Sequence, residues 1–426
     1  MNGMTPAEAG QFRGFVSSEK CLTGPVYSAA RTASPQALAQ ALLTTRARTL
    51  GLMQAWQDAA PNLAVPPLPG MNLPLWEWGH IAWFQEWWTV RNAQRNLGHG
   101  STTGGEAFGP SLRHDADAFY NSSEVAHSTR WSLALPDLNA TKQYLAAVLA
   151  QSLAHLKATS HAVNFSNQPD AAQDQALYFW RLVLQHEDMH NEASVYMAQA
   201  LDIDLPEALC GGSRGCTSAS EYAPDPIHIQ AQTWRLGHTG PGFAFDNEYH
   251  AEVLEIKAFE IDAQPVSWAQ YLPFLKATGR AAPLHVRCLH APSDAWAVRR
   301  FGHWHSMDLG APAVHISALD AEAWCDWAGR RLPTEAEWSC AAQHALFSWG
   351  QVWEWTATPF APYPGFVAHP YRDYSAPWWH QEKQGWQRRV LRGACAATSE
   401  HVADVRYRNF FSPERCDIFS GFRSAL

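Results

Sequence analysis

From Leu182 to Leu201 the chain reads LVLQHEDMHNEASVYMAQAL, with no proline or glycine, and Leu182, Leu184, Val195, Met197 and Ala198 recur at helical spacing. This stretch constrains the fold most, because a long amphipathic helix needs partners for its apolar face. Within it His186 and His190 stand four apart, so on a helix they share one face, one turn apart. Two imidazoles so placed can hold one metal ion; a polar helix face that carries two histidines is the plain alternative. A third histidine, His80, stands in a second apolar helical pattern, PLWEWGHIAWFQEWW. A histidine on so aromatic a face needs a polar partner once buried. Taken alone it reads as a satisfied core histidine; with His186 and His190 it completes a three-ligand set.

Two further helices frame these. Ser34 followed by Pro35 is an N-cap with proline at the first helical position, opening a pattern that a proline-rich connector ends. Another pattern runs from Asp137 to about Ala162, after a glycine- and serine-rich loop. Four long helices with connections of mixed length predict a four-helix bundle, an architecture that builds metal sites from facing helices. Between Leu205 and Pro226 the composition turns to glycine, serine and proline, the mark of a linker. Beyond it come short β-like runs, with shorter helices expected around Trp268–Ala277 and Ala318–Ala328. The expected organisation is an irregular leader at 1–33, a helical bundle at 34–207, a linker at 208–225 and a mixed α+β domain at 226–426.

A length of 426 residues suits two or three domains, and 46% hydrophobic content supplies a substantial core. The formal charge of −9 argues against a nucleic-acid partner held through phosphates. The 21 tryptophans suit packing and cation recognition. The eight cysteines are scattered without a CxxC pair, which predicts reduced thiols. No signal-peptide pattern and no long apolar run is present, so a cytoplasmic protein without a membrane span is expected.

The C-terminal half carries an ordered series of motifs: GFAFDNE at 242–248, LPTEAEW at 332–338, VWEWT at 352–356, RVLRGACAATS at 389–399 and YRNFFSPERCDIFSGFR at 407–423. It resembles the formylglycine-generating-enzyme (sulfatase-modifying factor) domain, of C-type-lectin-like fold. The N-terminal half resembles a DinB-type bundle. Together they resemble the nonheme iron sulfoxide synthases of ergothioneine biosynthesis. The implied fold class is multidomain, α followed by α+β. The resemblance implies Fe(II) on His80, His186 and His190, O₂ as co-substrate, and hercynine, the trimethylated betaine of histidine, as substrate. Neutral imidazoles suit Fe(II), and three of them leave positions open, although spacing does not separate iron from zinc. Asn409 and Phe410 fall where this family contacts hercynine. Tyr371 and Tyr374 fall in the segment that supplies a proton donor in some members. Glu187 and Asp188 point off the histidine face and read as solvent-facing or outer groups.

The departures from the family pattern concern the donor. Met189 stands where the common HEEQH motif has glutamine. Of the arginine-rich stretch that binds a dicarboxylate thiol only Arg130 remains, and Phe411 replaces an acidic residue. Cys395 enters the RGACAATS stretch, as a packing residue or a thiol of consequence. These features resemble the selenoneine synthase branch, which implies a selenosugar donor; cysteine or γ-glutamylcysteine is the alternative donor. Two readings of other classes are a copper-dependent formylglycine-generating oxidase, which lacks its close cysteine pair here, and a noncatalytic binding module of the same fold.

Overall fold

The computed structural model describes residues 21–68, 70–101, 108–163, 171–210, 224–249, 252–289, 295–379 and 387–426. Helix α1 spans Pro35–Ala59, and the Ser34 hydroxyl caps it by accepting from the Ala37 N–H at 3.3 Å. α2 spans Pro74–Gln85 and continues as a wider π-helical turn over Glu86–Arg91. A short α3, Ala116–Tyr120, precedes α4, Leu138–Ala162, which Asp137 caps through the Ala140 N–H at 2.7 Å. α5 spans Ala171–Ala200, more than a turn longer at its start than the sequence pattern marks.

From Ala176 to Asp188 every residue of α5 is buried. One side meets the bundle and the other the C-terminal domain, where Gln185 Nε2 donates to the His401 carbonyl at 2.6 Å. Glu187 and Asp188 are accordingly not solvent-facing. Glu187 accepts from Arg46 of α1 at 2.8 and 2.9 Å and from the Thr49 hydroxyl at 2.6 Å. Asp188 pairs with His401 Nδ1 at 2.7 Å. A carboxylate enters such an interior only with a partner, and here one partner is supplied from each domain.

The C-terminal domain is built on a four-stranded sheet in the order Asn409–Phe411, Arg389–Gly393, Trp353–Pro359, Ser420–Phe422. The first three strands run antiparallel, Val390 opposite Phe410, and the last lies parallel to Trp353–Pro359. Helices α6 (Trp268–Thr278) and α7 (Ala318–Ala328) lie where the sequence marks them, and each ends on a glycine with positive φ. A third helix, α8 (Glu335–Ala341), escapes that reading because it is a short turn opened by the Thr334/Glu337 capping box. Residues of the LPTEAEW and VWEWT motifs are buried in the fold. Glu335 accepts from Arg408 at 2.7 Å and Arg392 at 3.2 Å, and Trp338 Nε1 donates to Glu354 at 2.7 Å.

The segment expected as an irregular leader is partly integrated; its residues 1–20 lie outside the described residues. Leu22–Thr23 pairs with Ser348–Trp349, and buried Arg31 holds Glu248 at 2.9 Å and Asp404 at 3.3 Å. A buried guanidinium with two carboxylates joins this segment to the C-terminal domain, a contact no local pattern announces. Cys21 is disulfide-bonded, which corrects the expectation of eight reduced thiols; Cys210, Cys288, Cys325, Cys340, Cys395 and Cys416 are free. Cys216 and most of the expected linker (211–223) lie outside the described residues. Among the described residues no helix is long and apolar enough to cross a membrane.

Burial carries a pH dependence. His315 is 3% exposed, and burial, with His285 beside it, lowers its pKa to about 4. The unfolded chain binds this proton below the ordinary value of about 6.5 and the folded chain does not. Stability therefore falls as pH drops from about 6.5 to about 4, by up to about 3 kcal/mol from this group. Thermal melts across that range will show it, and His315→Phe will flatten the slope if the mutant retains the fold.

Candidate metal centre and cleft

His80 lies on α2 and His186 and His190 on α5, and one ligand nitrogen from each falls within 4.8 Å of the others. His186 Nε2 and His190 Nε2 are 3.2 Å apart. A single cation at the usual metal–imidazole distance of about 2.1 Å fits between them.

The supporting groups fix the tautomers. His80 Nδ1 lies 2.8 Å from the Tyr120 carbonyl. A carbonyl only accepts, so Nδ1 carries the hydrogen and Nε2 keeps its lone pair. That approach depends on Gly79, since a Cβ there would stand 2.2 Å from the Tyr120 ring. His190 Nδ1 bonds the Glu77 carboxylate, which Asn72 also contacts; His190 Nε2 is thereby left for a ligand. His186 stacks on Phe84 with ring centroids 3.6 Å apart and planes 6° from parallel. Burial, and secondarily the neighbouring His190, lowers the pKa of His80 to about 3 and that of His186 well below the ordinary value. Neutral, oriented imidazoles are the form a metal requires. Glu77→Gln removes the charge behind His190 and is expected to weaken metal binding by about 10–100-fold, read by competition with a chelator.

Sequence reasoning missed Glu77, because its partner His190 stands 113 residues away on another helix. It also assigned Arg130 to substrate. Arg130 is buried, its guanidinium 3.6 Å over the Trp76 ring and its Nη1 donating to Asn72 Oδ1 at 2.7 Å. Cation–π contact and the nearby Glu77 charge hold it there.

The cleft side is aromatic. Tyr371 packs edge-on to Phe84 at 4.8 Å and lies 6.3 Å from the His186 ring centroid. Its hydroxyl makes no hydrogen bond among the described residues, and burial raises its pKa. Tyr374 stacks on Phe245 at 4.1 Å, and its hydroxyl lies 3.0 Å from that of Tyr407, which the sequence reading missed. Phe410 stacks on Phe360 at 3.9 Å and meets Tyr374 edge-on at 6.0 Å. Asn409 and Phe411 are half-buried, and Asn409 Oδ1 accepts from the Phe410 N–H at 2.9 Å. Arg415, also missed, lies 4.5 Å over the Phe411 ring and pairs with Asp417 at 2.8 Å. Met189 is half-buried on α5 between the two metal-site histidines. Cys395 is fully buried, 3.3 Å from the Thr398 hydroxyl, which itself donates to Glu192 at 2.6 Å.

The chain matches two family models: the DinB superfamily over residues 34–193 and the sulfatase-modifying factor enzyme 1-like domain over residues 216–349. It is 27% identical over 461 residues to the hercynine oxygenase of Mycolicibacterium smegmatis, covering 92% of this chain and 98% of that protein. It is equally similar, 27% over 460 residues, to the hercynine oxygenase of Mycobacterium tuberculosis, covering 92% and 99%. The formylglycine-generating enzyme of Thermomonospora curvata is 31% identical over 183 residues, 35% of this chain and 57% of that protein. The chain thus joins a DinB-like bundle to a sulfatase-modifying-factor domain, and the likeness to hercynine oxygenases runs through both.

Proposed function

We propose that this oxygenase-type enzyme uses Fe(II) and O₂ to join C2 of the hercynine imidazole to a chalcogen donor, with a selenosugar as the donor. The single observation that carries the reading is the converging set of His80, His186 and His190, with Phe84 and Tyr371 packed beside it. The likeness to hercynine oxygenases along nearly the whole chain supports hercynine as the substrate. Bound iron supplies the activation of O₂ and a coordination position for the sulfur or selenium of the donor.

The chain's own residues do the rest. His80, oriented by the Tyr120 carbonyl, His190, oriented by Glu77, and His186, stacked on Phe84, would hold the ion. Phe410 and Tyr374 offer aromatic rings to the trimethylammonium group, and Asn409 offers its amide. Tyr371 is the proton donor of the reaction: its ring lies 6.3 Å from that of His186, and burial keeps its hydroxyl protonated. Tyr374 is committed to Tyr407.

The donor reading rests on missing charge. Arg130 is engaged with Asn72 and Trp76, Met189 offers only a thioether, and Phe411 offers none. A neutral sugar needs no carboxylate clamp, and a selenolate is a soft anion at neutral pH. A second reading has cysteine or γ-glutamylcysteine as donor; the cation nearest Phe411, Arg415, already has the Asp417 carboxylate as its partner, so a donor carboxylate would have to share it.

The test is anaerobic reconstitution with Fe(II), then O₂, hercynine and either selenoglucose, cysteine or γ-glutamylcysteine, with products read by mass spectrometry. A selenium adduct from selenoglucose alone is expected. Comparable adducts from a thiol return the protein to sulfoxide synthesis, and no adduct from any donor overturns the reading. Tyr371→Phe is expected to slow turnover by about 100-fold or more while leaving hercynine affinity in place.

A further inference from the structure

The hydroxyl of Tyr407 lies 3.1 Å from Met189 Sδ and 3.0 Å from the Tyr374 hydroxyl. Chemistry fixes the direction of both bonds. A thioether has no proton to give, so Tyr407 donates to Met189. Its only proton is then committed, so Tyr374 donates to Tyr407. Burial raises the pKa of both phenols, which keeps both protons in place. A hydroxyl oxygen has two lone pairs; Tyr374 occupies one, and no other donor among the described residues occupies the second. The ring is 4% exposed and held by Trp353 at 5.6 Å and Phe245 at 5.7 Å. Met189 lies three residues beyond His186 and adjacent to His190, so Tyr407 meets α5 within one turn of both.

A neutral imidazole that gives one nitrogen to a metal carries its hydrogen on the other. In a cleft lined by aromatic rings that N–H needs an acceptor, because a buried unpaired donor is costly. The thioether of Met189 is a weak acceptor, and the Phe411 side chain has none to offer. We propose that Tyr407 is a specificity-determining residue whose oxygen accepts the N–H of the substrate imidazole, and that Met189 acts by drawing the Tyr407 proton away from the substrate. This rests on the hercynine reading and extends it: the site selects a ring that bears both a metal-binding nitrogen and an N–H.

The test is calorimetric binding to the Fe(II)-loaded protein under anaerobic conditions, so the readout is affinity and not turnover. The ligands are hercynine and its thiazole analogue, a betaine in which ring sulfur replaces the N–H. The wild-type protein is expected to prefer hercynine by about tenfold or more. Tyr407→Phe is expected to bring that ratio near unity, an effect that mere loosening of the cleft would not produce. Met189→Leu keeps the Tyr407 ring, frees its proton to turn toward the substrate, and is expected to lower the ratio by about threefold. An undiminished ratio in Tyr407→Phe overturns the inference and leaves the hercynine reading standing. If Tyr407→Phe does not fold, an undiminished ratio in Met189→Leu overturns it. Failure of wild type to bind hercynine overturns both.

Discussion

His186→Ala is expected to abolish stoichiometric Fe(II) binding and, with it, O₂-dependent turnover. Partners behind a ligand are worth about 10–100-fold in metal affinity, so loss of a ligand itself should exceed the upper figure. His186 contributes more than one nitrogen. Its ring lies flat on Phe84 and within 5.0 Å of His80, and its Nε2 stands 3.2 Å from that of His190. Alanine leaves two nitrogens from different helices with a gap between them. Binding of a metal to the folded state raises its stability by mass action, so added Fe(II) should raise the melting temperature of wild type and leave that of His186→Ala unmoved. Metal analysis of the purified variants supplies the second readout. A mutant that binds one equivalent of Fe(II) with wild-type affinity would remove His186 from the centre.

Such a centre was readable from sequence because its parts obey local periodicities. Two histidines four apart on an uninterrupted helix and a third in a tryptophan-rich helix needed no tertiary knowledge to be grouped. The bundle was readable for the same reason: Ser34 before Pro35 and Asp137 before Leu138 are cap signals written into the chain. What stayed hidden is long-range. Glu187 and Asp188 read as solvent-facing or outer groups, with nothing to decide between the two, because their partners, Arg46 and His401, are 141 and 213 residues away. Arg130 reads as a substrate group, and the sequence is silent on the Trp76 ring that it covers. Tyr407 precedes the Asn409–Phe411 strand, and nothing in its neighbourhood announces a contact with Met189, 218 residues earlier. The integration of Leu22–Thr23 and Arg31 into the C-terminal domain is of this kind too. Helical periodicity reports which face of a helix is apolar; it is silent on which buried charge answers which.

That silence matters most where the largest stability effect is expected, at Glu354. This carboxylate is fully buried in the central sheet. Arg423, from the neighbouring parallel strand's end, bonds it with Nε and, at 2.8 Å, with Nη2, and Trp338 Nε1 donates to it at 2.7 Å. Arg423 also donates to the Asp262 carbonyl at 2.9 Å and the Ser348 carbonyl at 2.6 Å, and lies 3.6 Å over the Phe347 ring. Glu354→Gln keeps the shape and removes the charge, leaving a guanidinium without a counter-ion in a dry interior. Breaking one side of such a pair costs about 3–5 kcal/mol, a large share of a typical domain's stability of about 5–15 kcal/mol. Glu337→Gln is the contrast. Its partner Arg331 is 43% exposed, so the 2.7 Å contact between them is screened by water and its loss should cost less than about 1 kcal/mol. Replacing Glu354 and Arg423 together by leucine and methionine should recover part of the loss, because the uncompensated charge goes with its partner. Urea unfolding of the four proteins will separate these cases. Equal losses for Glu354→Gln and Glu337→Gln would mean that burial does not set the cost, and that the signature glutamate and arginine owe their place in this domain to something other than the pairing of charge within its core.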